Sequence, residues 1–184
     1  MIVYPIFQCH TSLAKRVPLP IKLHRVNIWP NDHELHVSYG KVLIDIWQNA
    51  EDEIGLLWIE GDIAITPEHL YEIDRELSHH SDIVVTVPYL LYPKTTGRTW
   101  PIWSNRGITP EGVPIAYEYS QKPPARPAFF SLGCTYMPAC LLDNLDTKRG
   151  NWDYPCLDTR LSETARARGV PVIATPTPAL HLHY

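Results

Sequence analysis

The sequence is short of cysteine and has no excess of basic residues. Its 184 residues include four cysteines, which form no C-x-x-C pair and follow no regular spacing. This pattern argues against a zinc ribbon or a disulfide framework and favours buried, reduced thiols at Cys9, Cys134, Cys140 and Cys156. The formal net charge of −4 gives no general attraction to nucleic acid, although a local basic patch is compatible with it.

Long apolar runs are also missing. No stretch approaches the roughly 20 apolar residues that a membrane span needs, and the N-terminus lacks the charged-then-apolar order of a signal peptide. We therefore expect a cytoplasmic protein that makes no membrane contact. With 45% hydrophobic and 20% charged residues, the chain 1–184 is predicted to form one globular domain with a full core.

Several catalytic signatures are absent too. The sequence contains no G-x-x-x-x-G-K-[ST] phosphate loop, no G-x-G-x-x-G after the first predicted strand and no G-x-S-x-G nucleophile elbow. The two histidines of His33-Glu34-Leu35-His36 are three residues apart, whereas the zinc-protease helix needs a spacing of four. These absences narrow the possible enzyme classes considerably.

What the sequence does contain is a nearly unbroken apolar run, residues 54–59, that ends on Glu60-Gly61-Asp62. Such a run predicts a strand buried on both faces, as in the interior of a parallel sheet. Ligands of open α/β sheets collect at the carboxyl ends of the strands, where these two carboxylates would lie. An acidic turn is the simpler interpretation. Because adjacent carboxylates repel unless a cation joins them, we favour a divalent metal held by Glu60, Asp62 and substrate phosphates, with Gly61 leaving room for the ligand.

The remaining pattern predicts an α/β protein with a mostly parallel central sheet flanked by helices. Further strands are predicted at residues 2–5, 21–28, 82–87, 128–136 and 170–174. The last of these belongs at a sheet edge, because Pro171 cannot donate to a ladder. Helices are predicted to start at Ser38, at Thr66-Pro67 and at Pro138, and a fourth is predicted to end at Gly169.

Residues 88–127 contain eight prolines and many aromatic residues, so regular structure is hard to predict there. The aromatic residues argue for an ordered flap, compatible with a β-hairpin, rather than for disorder. Trp100, Trp103 and Trp152 are candidates for stacking against a sugar acceptor. Tryptophan is also a routine core residue, and this alternative stays open.

The order of these features is informative. The apolar strand with Glu60-Gly61-Asp62 is followed by a late strand of small residues at 131–135, an aspartate at the start of a helix and a histidine near the C-terminus. In this order the chain resembles the GT-A-fold glycosyltransferases, most closely their inverting family-two type. Glu60-Gly61-Asp62 is similar to the family's D-x-D motif, with Glu for the first Asp. Residues 152–169 are similar to a segment in which a Glu-Asp pair opens a helix ending in an Arg-rich turn and a glycine; here Leu157-Asp158 replaces that pair.

The resemblance implies a Rossmann-like GT-A domain that transfers a sugar from a nucleotide-diphosphate sugar, with a UDP-sugar favoured, to an acceptor hydroxyl with inversion. It implies Mn²⁺ or Mg²⁺ on Asp62 and Glu60, completed by a histidine near the C-terminus. His181 and His183 would share a face of an extended tail, and we prefer His181. Asp158 is the candidate base for the acceptor proton. Asp158 as a helix cap is the alternative, and the two roles are compatible.

For the donor, the loop after the first strand is the expected cradle of the base. Pro5, Phe7 and Gln8 are therefore candidates, and Lys41 is a candidate for a phosphate contact. Two rival functions stay open. A sugar nucleotidyltransferase has a similar sheet but normally carries a Gly-rich, basic loop after the first strand, and residues 7–12 contain no glycine. A non-catalytic carbohydrate-binding or assembly protein on a GT-A-like shell fits the aromatic flap equally well.

Overall fold

The computed structural model describes residues 2–7, 25–29, 43–50, 53–92, 100–143, 145 and 157–182, of which 2–7 and 25–29 are described by their backbone alone. Within these ranges the helices are α1 (43–48), α2 (Pro67–His79), α3 (Ala139–Leu142) and α4 (Leu157–Ala167). The strands are β1 (Ile2–Phe7), β2 (Arg25–Trp29), β3 (Gly55–Ile59), β4 (Ile63–Ala64), β5 (Val84–Thr86), β6 (Leu90–Leu91), β7 (Ile102–Trp103), β8 (Gly107–Ile108), β9 (Pro114–Ile115), β10 (Cys134–Pro138), β11 (Val172–Ala174) and β12 (Leu180–His181).

Six of these strands form the central sheet, in the order β11-β5-β10-β3-β1-β2. β1 pairs in parallel with β2 and β3, and β5 pairs in parallel with β11. β10 is antiparallel to both of its neighbours, β3 and β5. The predicted mostly parallel sheet is therefore confirmed, with β10 as the exception. β11 lies at an edge of the sheet, as Pro171 predicted.

The apolar run 54–59 forms the interior strand that was predicted, because all five residues of β3 are buried. Side chains alternate between the two faces of a strand. Leu56 and Trp58 pack in one core with residues of α1, α3 and α4. Leu57 and Ile59 pack in the other core with α2. Helices thus cover both faces of the sheet, which confirms the predicted α/β arrangement.

Gly55 begins β3 where the backbone of β10 comes close. A Cβ at this position would lie 2.7 Å from the Met137 carbonyl oxygen, and that oxygen belongs to the strand paired with β3. We expect Gly55→Ala to lower the free energy of unfolding by about 2 kcal/mol, because β10 cannot move away without breaking its pairing. Urea unfolding measures this. In the control Gly112→Ala, where a Cβ meets nothing within 4 Å, the cost should stay near the roughly 1 kcal/mol of a positive φ.

Some strand boundaries differ from the predicted ones. β1 continues to Phe7, so Pro5 and Phe7 lie within the strand and not in the loop after it. β2 covers Arg25–Trp29 and ends one residue after the predicted 21–28, whose first four residues lie outside the described part. β10 begins only at Cys134, although the strand was predicted from residue 128. The apolar residues Phe129, Phe130 and Leu132 are buried in the core, but burial alone does not make a segment pair as a strand.

The predicted helix signals are confirmed where they are described. α1 buries Trp47, whose Nε1 donates to Asp143 Oδ1 at 2.9 Å; the predicted start at Ser38 lies outside the described residues. Pro67 opens α2. α4 ends just before Gly169, whose φ of +68° suits the position after a helix. None of the helices in the described ranges is long and apolar enough to cross a membrane.

The flap has regular structure in its described parts. β6 pairs with β7, and β8 pairs with β9, both antiparallel. The amide of Thr109 donates to the Val113 carbonyl oxygen at 2.9 Å and closes the β8–β9 hairpin around Gly112, whose φ is +87°. This confirms an ordered flap with a β-hairpin. Residues 93–99 lie outside the described part.

The cysteines divide into two kinds. Cys134 is buried, as expected, and burial raises the pKa of its thiol to about 12. Cys140 is exposed, which corrects the expectation that it is buried. Both thiols are free. Cys9 and Cys156 lie outside the described residues.

Candidate functional site

Asp62 and His181 lie side by side although 119 residues separate them. Asp62 follows β3, and His181 lies on β12, which pairs antiparallel with β4. Asp62 Oδ2 and His181 Nε2 are 3.0 Å apart, and both side chains are largely buried. The Leu182 amide also donates to the Asp62 carbonyl oxygen at 2.8 Å. The pairing of β12 with β4 therefore brings a carboxylate and an imidazole together at the carboxyl end of β3. We call this end of the central sheet the ligand edge, because open α/β sheets bind their ligands there.

The chain turns at Glu60-Gly61-Asp62 and does not stay extended. The Ile63 amide donates to the Glu60 carbonyl oxygen at 3.1 Å and closes a β-turn around Gly61 and Asp62. The Glu60 amide donates to the Gly133 carbonyl oxygen at 2.7 Å, which ties the turn to the segment before β10. The acidic-turn interpretation thus describes the backbone correctly. As a consequence Asp62 is buried and Glu60 is half-buried.

The ring of Tyr89 lies among these groups. Its centroid is 5.0 Å from that of His181, with an angle of 58° between the planes. Burial raises the pKa of Tyr89 well above its usual value of 10.0. The negative charge of Glu60 raises this pKa further, as do the charges of Asp158 and Asp62. Acidic residues from two parts of the chain, the turn after β3 and the start of α4, therefore act on one buried phenol.

Asp158 lies in the first turn of α4 and is half-buried. Burial raises the pKa of its carboxyl group from 3.8 to about 6. A hydrogen bond from the Leu132 backbone, the charge of Arg106 and a hydrogen bond from its own backbone act in the opposite direction. Because the residue is inside the helix, it is not the N-cap of the alternative interpretation, although an acid in the first turn still suits the helix dipole. The carboxylate is ionised at neutral pH but is a stronger base than an ordinary aspartate.

Small residues just before β10 make room for Tyr89. A Cβ at Gly133 would lie 2.9 Å from Tyr89 Cζ and 3.0 Å from Ile63 Cγ1. The side chain of Ser131 lowers the pKa of Tyr89, against the effect of burial. Because β10 is antiparallel to β3, with Cys134 opposite Ile59, these small residues lie at the ligand edge.

The flap reaches the site at two points. The Ser104 amide donates to the Tyr89 carbonyl oxygen at 2.8 Å, and Ser104 Oγ accepts from the Tyr89 amide at 3.1 Å. The Arg106 amide donates to the Phe129 carbonyl oxygen at 2.9 Å, and the exposed Arg106 side chain is close enough to Asp158 to lower the pKa of its carboxyl group. The flap therefore contributes both a fixed aromatic ring and a cation to the site.

The two described tryptophans of the flap differ in exposure. Trp100 is 43% exposed and is accessible to a ligand. Trp103 is buried, and its indole N–H donates to the Gln121 carbonyl oxygen at 2.8 Å, so it packs the flap together. Tyr119 is exposed, and its amide donates to the Pro101 carbonyl oxygen at 3.1 Å, which places it next to the chain at Trp100.

Several predicted site residues lie outside the described part of the chain. They are Gln8 and Lys41 on the donor side, Trp152 on the acceptor side and His183 in the tail. Of the other donor candidates, Pro5 and Phe7 lie in β1, where the backbone alone is described, and Gly61 is buried in the turn.

The described residues offer a metal two adjacent ligands, Asp62 and His181. In the ranges that the structure describes, no group of three or more His, Cys, Asp or Glu side chains is placed to hold a metal. An imidazole with carboxylate oxygen suits Mn²⁺ at least as well as Mg²⁺. Such ions commonly take their remaining ligands from water and substrate phosphates. A metal held by this pair would need its further ligands from water or a substrate.

Comparison with known proteins identifies the fold. No protein-family model and no curated protein matches the chain. The solved structure of A197 from STIV is similar, with a TM-score of 0.62 and 12% identity over 100% of this chain and 86% of that one. So is CMP:2-keto-3-deoxy-manno-octonic acid synthetase complexed with CTP, with a TM-score of 0.51 and 10% identity over 97% and 89%. At these identities the likeness shows the fold alone: a central sheet flanked by helices that this chain shares with a nucleotide-binding synthetase.

Proposed function

We propose that the protein is a metal-dependent glycosyltransferase that transfers a sugar from a nucleotide-diphosphate sugar to an acceptor hydroxyl with inversion. The observation that carries the proposal is the contact of Asp62 with His181 beside the ring of Tyr89, whose pKa the charges of Glu60 and Asp158 also raise. The pair lies at the ligand edge of an open α/β sheet, where such sheets bind their substrates.

In this proposal Asp62 and His181 hold the metal, and Glu60 contributes directly or through water. The ion supplies positive charge where negative charge develops on the leaving diphosphate. The protein contributes ligands that are already in place, because the β4–β12 pairing fixes His181 against Asp62 before any substrate arrives. Their burial keeps water from weakening the electrostatic interaction.

Asp158 is the base on the acceptor side. It takes the proton of the acceptor hydroxyl as that oxygen bonds to the anomeric carbon. The bond from the anomeric carbon to the diphosphate breaks on the opposite face, and its electron pair leaves with the nucleoside diphosphate. A carboxyl pKa of about 6 suits this role. The group is ionised at neutral pH, and its pKa lies closer to that pH than the pKa of an ordinary aspartate does.

A sugar nucleotidyltransferase is the second candidate, because one solved structure of this fold is a synthetase complexed with CTP. In that reaction a sugar oxygen attacks the α-phosphate of a nucleoside triphosphate and pyrophosphate leaves. A metal held by Asp62 and His181 would serve nucleotidyl transfer equally well. The absence of glycine from residues 7–12 argues against the Gly-rich loop of this class and makes it the second choice.

The first test is calorimetric titration of UDP, GDP and CTP into the protein, with Mn²⁺ and then with EDTA. We expect binding that depends on Mn²⁺. Loss of an outer partner of a metal site typically weakens metal binding about 10- to 100-fold. Asp62→Ala removes a proposed ligand and should weaken binding by at least this much. Asp74→Ala is the matched control, since it removes an exposed acid from α2 and should leave binding unchanged.

The products then separate the candidates. Release of nucleoside diphosphate from a sugar nucleotide indicates glycosyl transfer. Release of pyrophosphate from a nucleoside triphosphate and a sugar would overturn our proposal in favour of nucleotidyl transfer. Absence of nucleotide binding with and without metal would instead favour the non-catalytic, carbohydrate-binding shell.

A further inference from the structure

A short proline-containing segment, residues 175–179, joins β11 to β12, the strand that carries His181. The amides at the two ends of this segment donate hydrogen bonds to the chain at and just after the end of β5. Thr175 donates to the Thr86 carbonyl oxygen at 3.0 Å, and Ala179 donates to the Pro88 carbonyl oxygen at 2.9 Å. The middle of the segment is held differently, by two buried polar side chains of α2.

Glu72 is the first of these side chains. Its Oε1 accepts a hydrogen bond from Thr177 Oγ1 at 2.6 Å, and its Oε2 accepts one from the Thr177 amide at 3.2 Å. Only 6% of the residue is exposed. A buried carboxylate is costly unless it is hydrogen-bonded. Any displacement of Thr177 would leave the buried Glu72 carboxylate without these two hydrogen bonds. Glu72 therefore stabilises the observed position of the segment.

His69 lies one turn earlier on the same face of α2 and holds the next residue of the segment. Its Nδ1 is 2.9 Å from the Thr66 amide nitrogen, and because an amide can only donate, Nδ1 is the acceptor. The ring hydrogen is then on Nε2, which donates to the Pro178 carbonyl oxygen at 3.2 Å. One imidazole in a defined tautomer thus links the start of α2 to the segment.

We infer that Glu72 and His69 are positioning residues that hold the 175–179 segment so that His181 lies against Asp62. Proline fixes its own φ. The rings of Pro176 and Pro178 therefore leave the segment few rotations with which to absorb a displacement, and a shift at Thr177 passes on to β12. That the His181 ring serves a metal rests on the function proposed above; its placement by α2 does not.

The test uses the NMR signals of the histidine side chains in the ligand-free protein, with His181 assigned from His181→Gln. Asp62→Ala marks where the His181 signals move when the ring loses its partner. We expect Glu72→Ala to move them most of the way to that position, and Thr177→Val, the milder change, to move them in the same direction. Asp74→Ala should leave them in place.

Glu72→Gln is the conservative variant and should restore the wild-type signals. The glutamine oxygen can accept from the Thr177 amide, and its NH₂ group can donate to the Thr177 hydroxyl, which accepts as well as donates. Signals of His181 that stay at their wild-type positions in Thr177→Val and Glu72→Ala, while Asp62→Ala moves them, would overturn the inference. If Glu72→Ala does not fold, Thr177→Val alone decides.

Mn²⁺ titration in the presence of nucleotide separates this inference from the proposed function. Where the wild type binds Mn²⁺, Glu72→Ala should weaken binding about 10-fold. It should have no further effect in a His181→Gln background, because it acts through that ring. A further loss there would count against the inference. If the wild type binds no Mn²⁺ but the His181 signals move as expected, the proposed metal site fails and the positioning role stands.

Discussion

Asp158→Asn is expected to lower turnover about 10²- to 10⁴-fold and, at the same time, to stabilise the protein at neutral pH. The loss of turnover follows because an amide cannot take the proton of the acceptor hydroxyl. The gain in stability follows from the raised pKa of the Asp158 carboxyl group. The folded protein binds this proton more tightly than the unfolded chain does, so that keeping the group ionised costs folding free energy.

This cost has a defined pH window. The carboxyl pKa is about 6 in the folded protein and 3.8 without its surroundings, so the cost is fully present above about pH 6 and is lost as the pH falls towards about 4. Because the side chain is half-buried, solvent screening limits the cost to about 1–2 kcal/mol. Urea unfolding should show Asp158→Asn to be more stable than wild type by this amount near pH 7.5, and the difference should disappear near pH 4.

Glu163→Gln is the matched control, because it removes an exposed acid from the same helix and should change neither turnover nor stability. The activity of the wild type should itself fall about tenfold per pH unit below about pH 6, as Asp158 takes up its proton. Full activity of Asp158→Asn would refute its role as the base. A loss of stability that is equal at both pH values would refute the effect of burial on its pKa.

Gly133→Ala is expected to lower the free energy of unfolding by about 3 kcal/mol, the upper end for an overpacked core. The new methyl group would meet the Tyr89 ring on one side and Ile63 Cγ1, 3.0 Å away, on the other. The ring cannot withdraw easily, because Ser104 both donates to and accepts from the Tyr89 backbone. Urea unfolding at fixed pH measures the change.

Tyr89→Leu shows whether the ring is the cause. A smaller side chain leaves space for the methyl group, so the double variant should be more stable than the sum of the two single changes predicts. Strict additivity would mean that the strain of Gly133→Ala lies elsewhere. Gly112→Ala, with open space around it, should cost only about 1 kcal/mol.

The sequence predicted those parts of the fold and site that leave local signals. The apolar run before Glu60 predicted an interior strand, and residues 56–59 pack alternately into two cores. Thr66-Pro67 and Gly169 marked the ends of helices by their backbone chemistry. Asp62 was singled out because it follows the apolar strand, and His181 because the resemblance to GT-A glycosyltransferases implies a histidine near the C-terminus; the structure places the two side by side.

What could not be predicted depends on contacts between distant residues. Tyr89 is one of several tyrosines near the flap, and its place at the site follows from Gly133, 44 residues away. On α2, Ile73 is buried and Leu70 and Leu77 pack against the same core, but the buried His69 and Glu72 lie among them. These polar residues can be buried because Thr177 and Pro178 provide their hydrogen-bond partners. The two partners are 105 and 109 residues away in the sequence, so no local pattern near α2 predicts them.

The single reversed strand changes where the chain can be altered. Strands that run with β3 deliver their following loops to the ligand edge, so a loop inserted after β5 would lie beside the proposed site. β10 runs the other way, with Cys134 opposite Ile59 and Pro138 opposite Gly55. An insertion between β10 and α3 would therefore emerge at the far edge of the sheet. To alter the proposed site through β10, an insertion therefore belongs in the segment that precedes this strand.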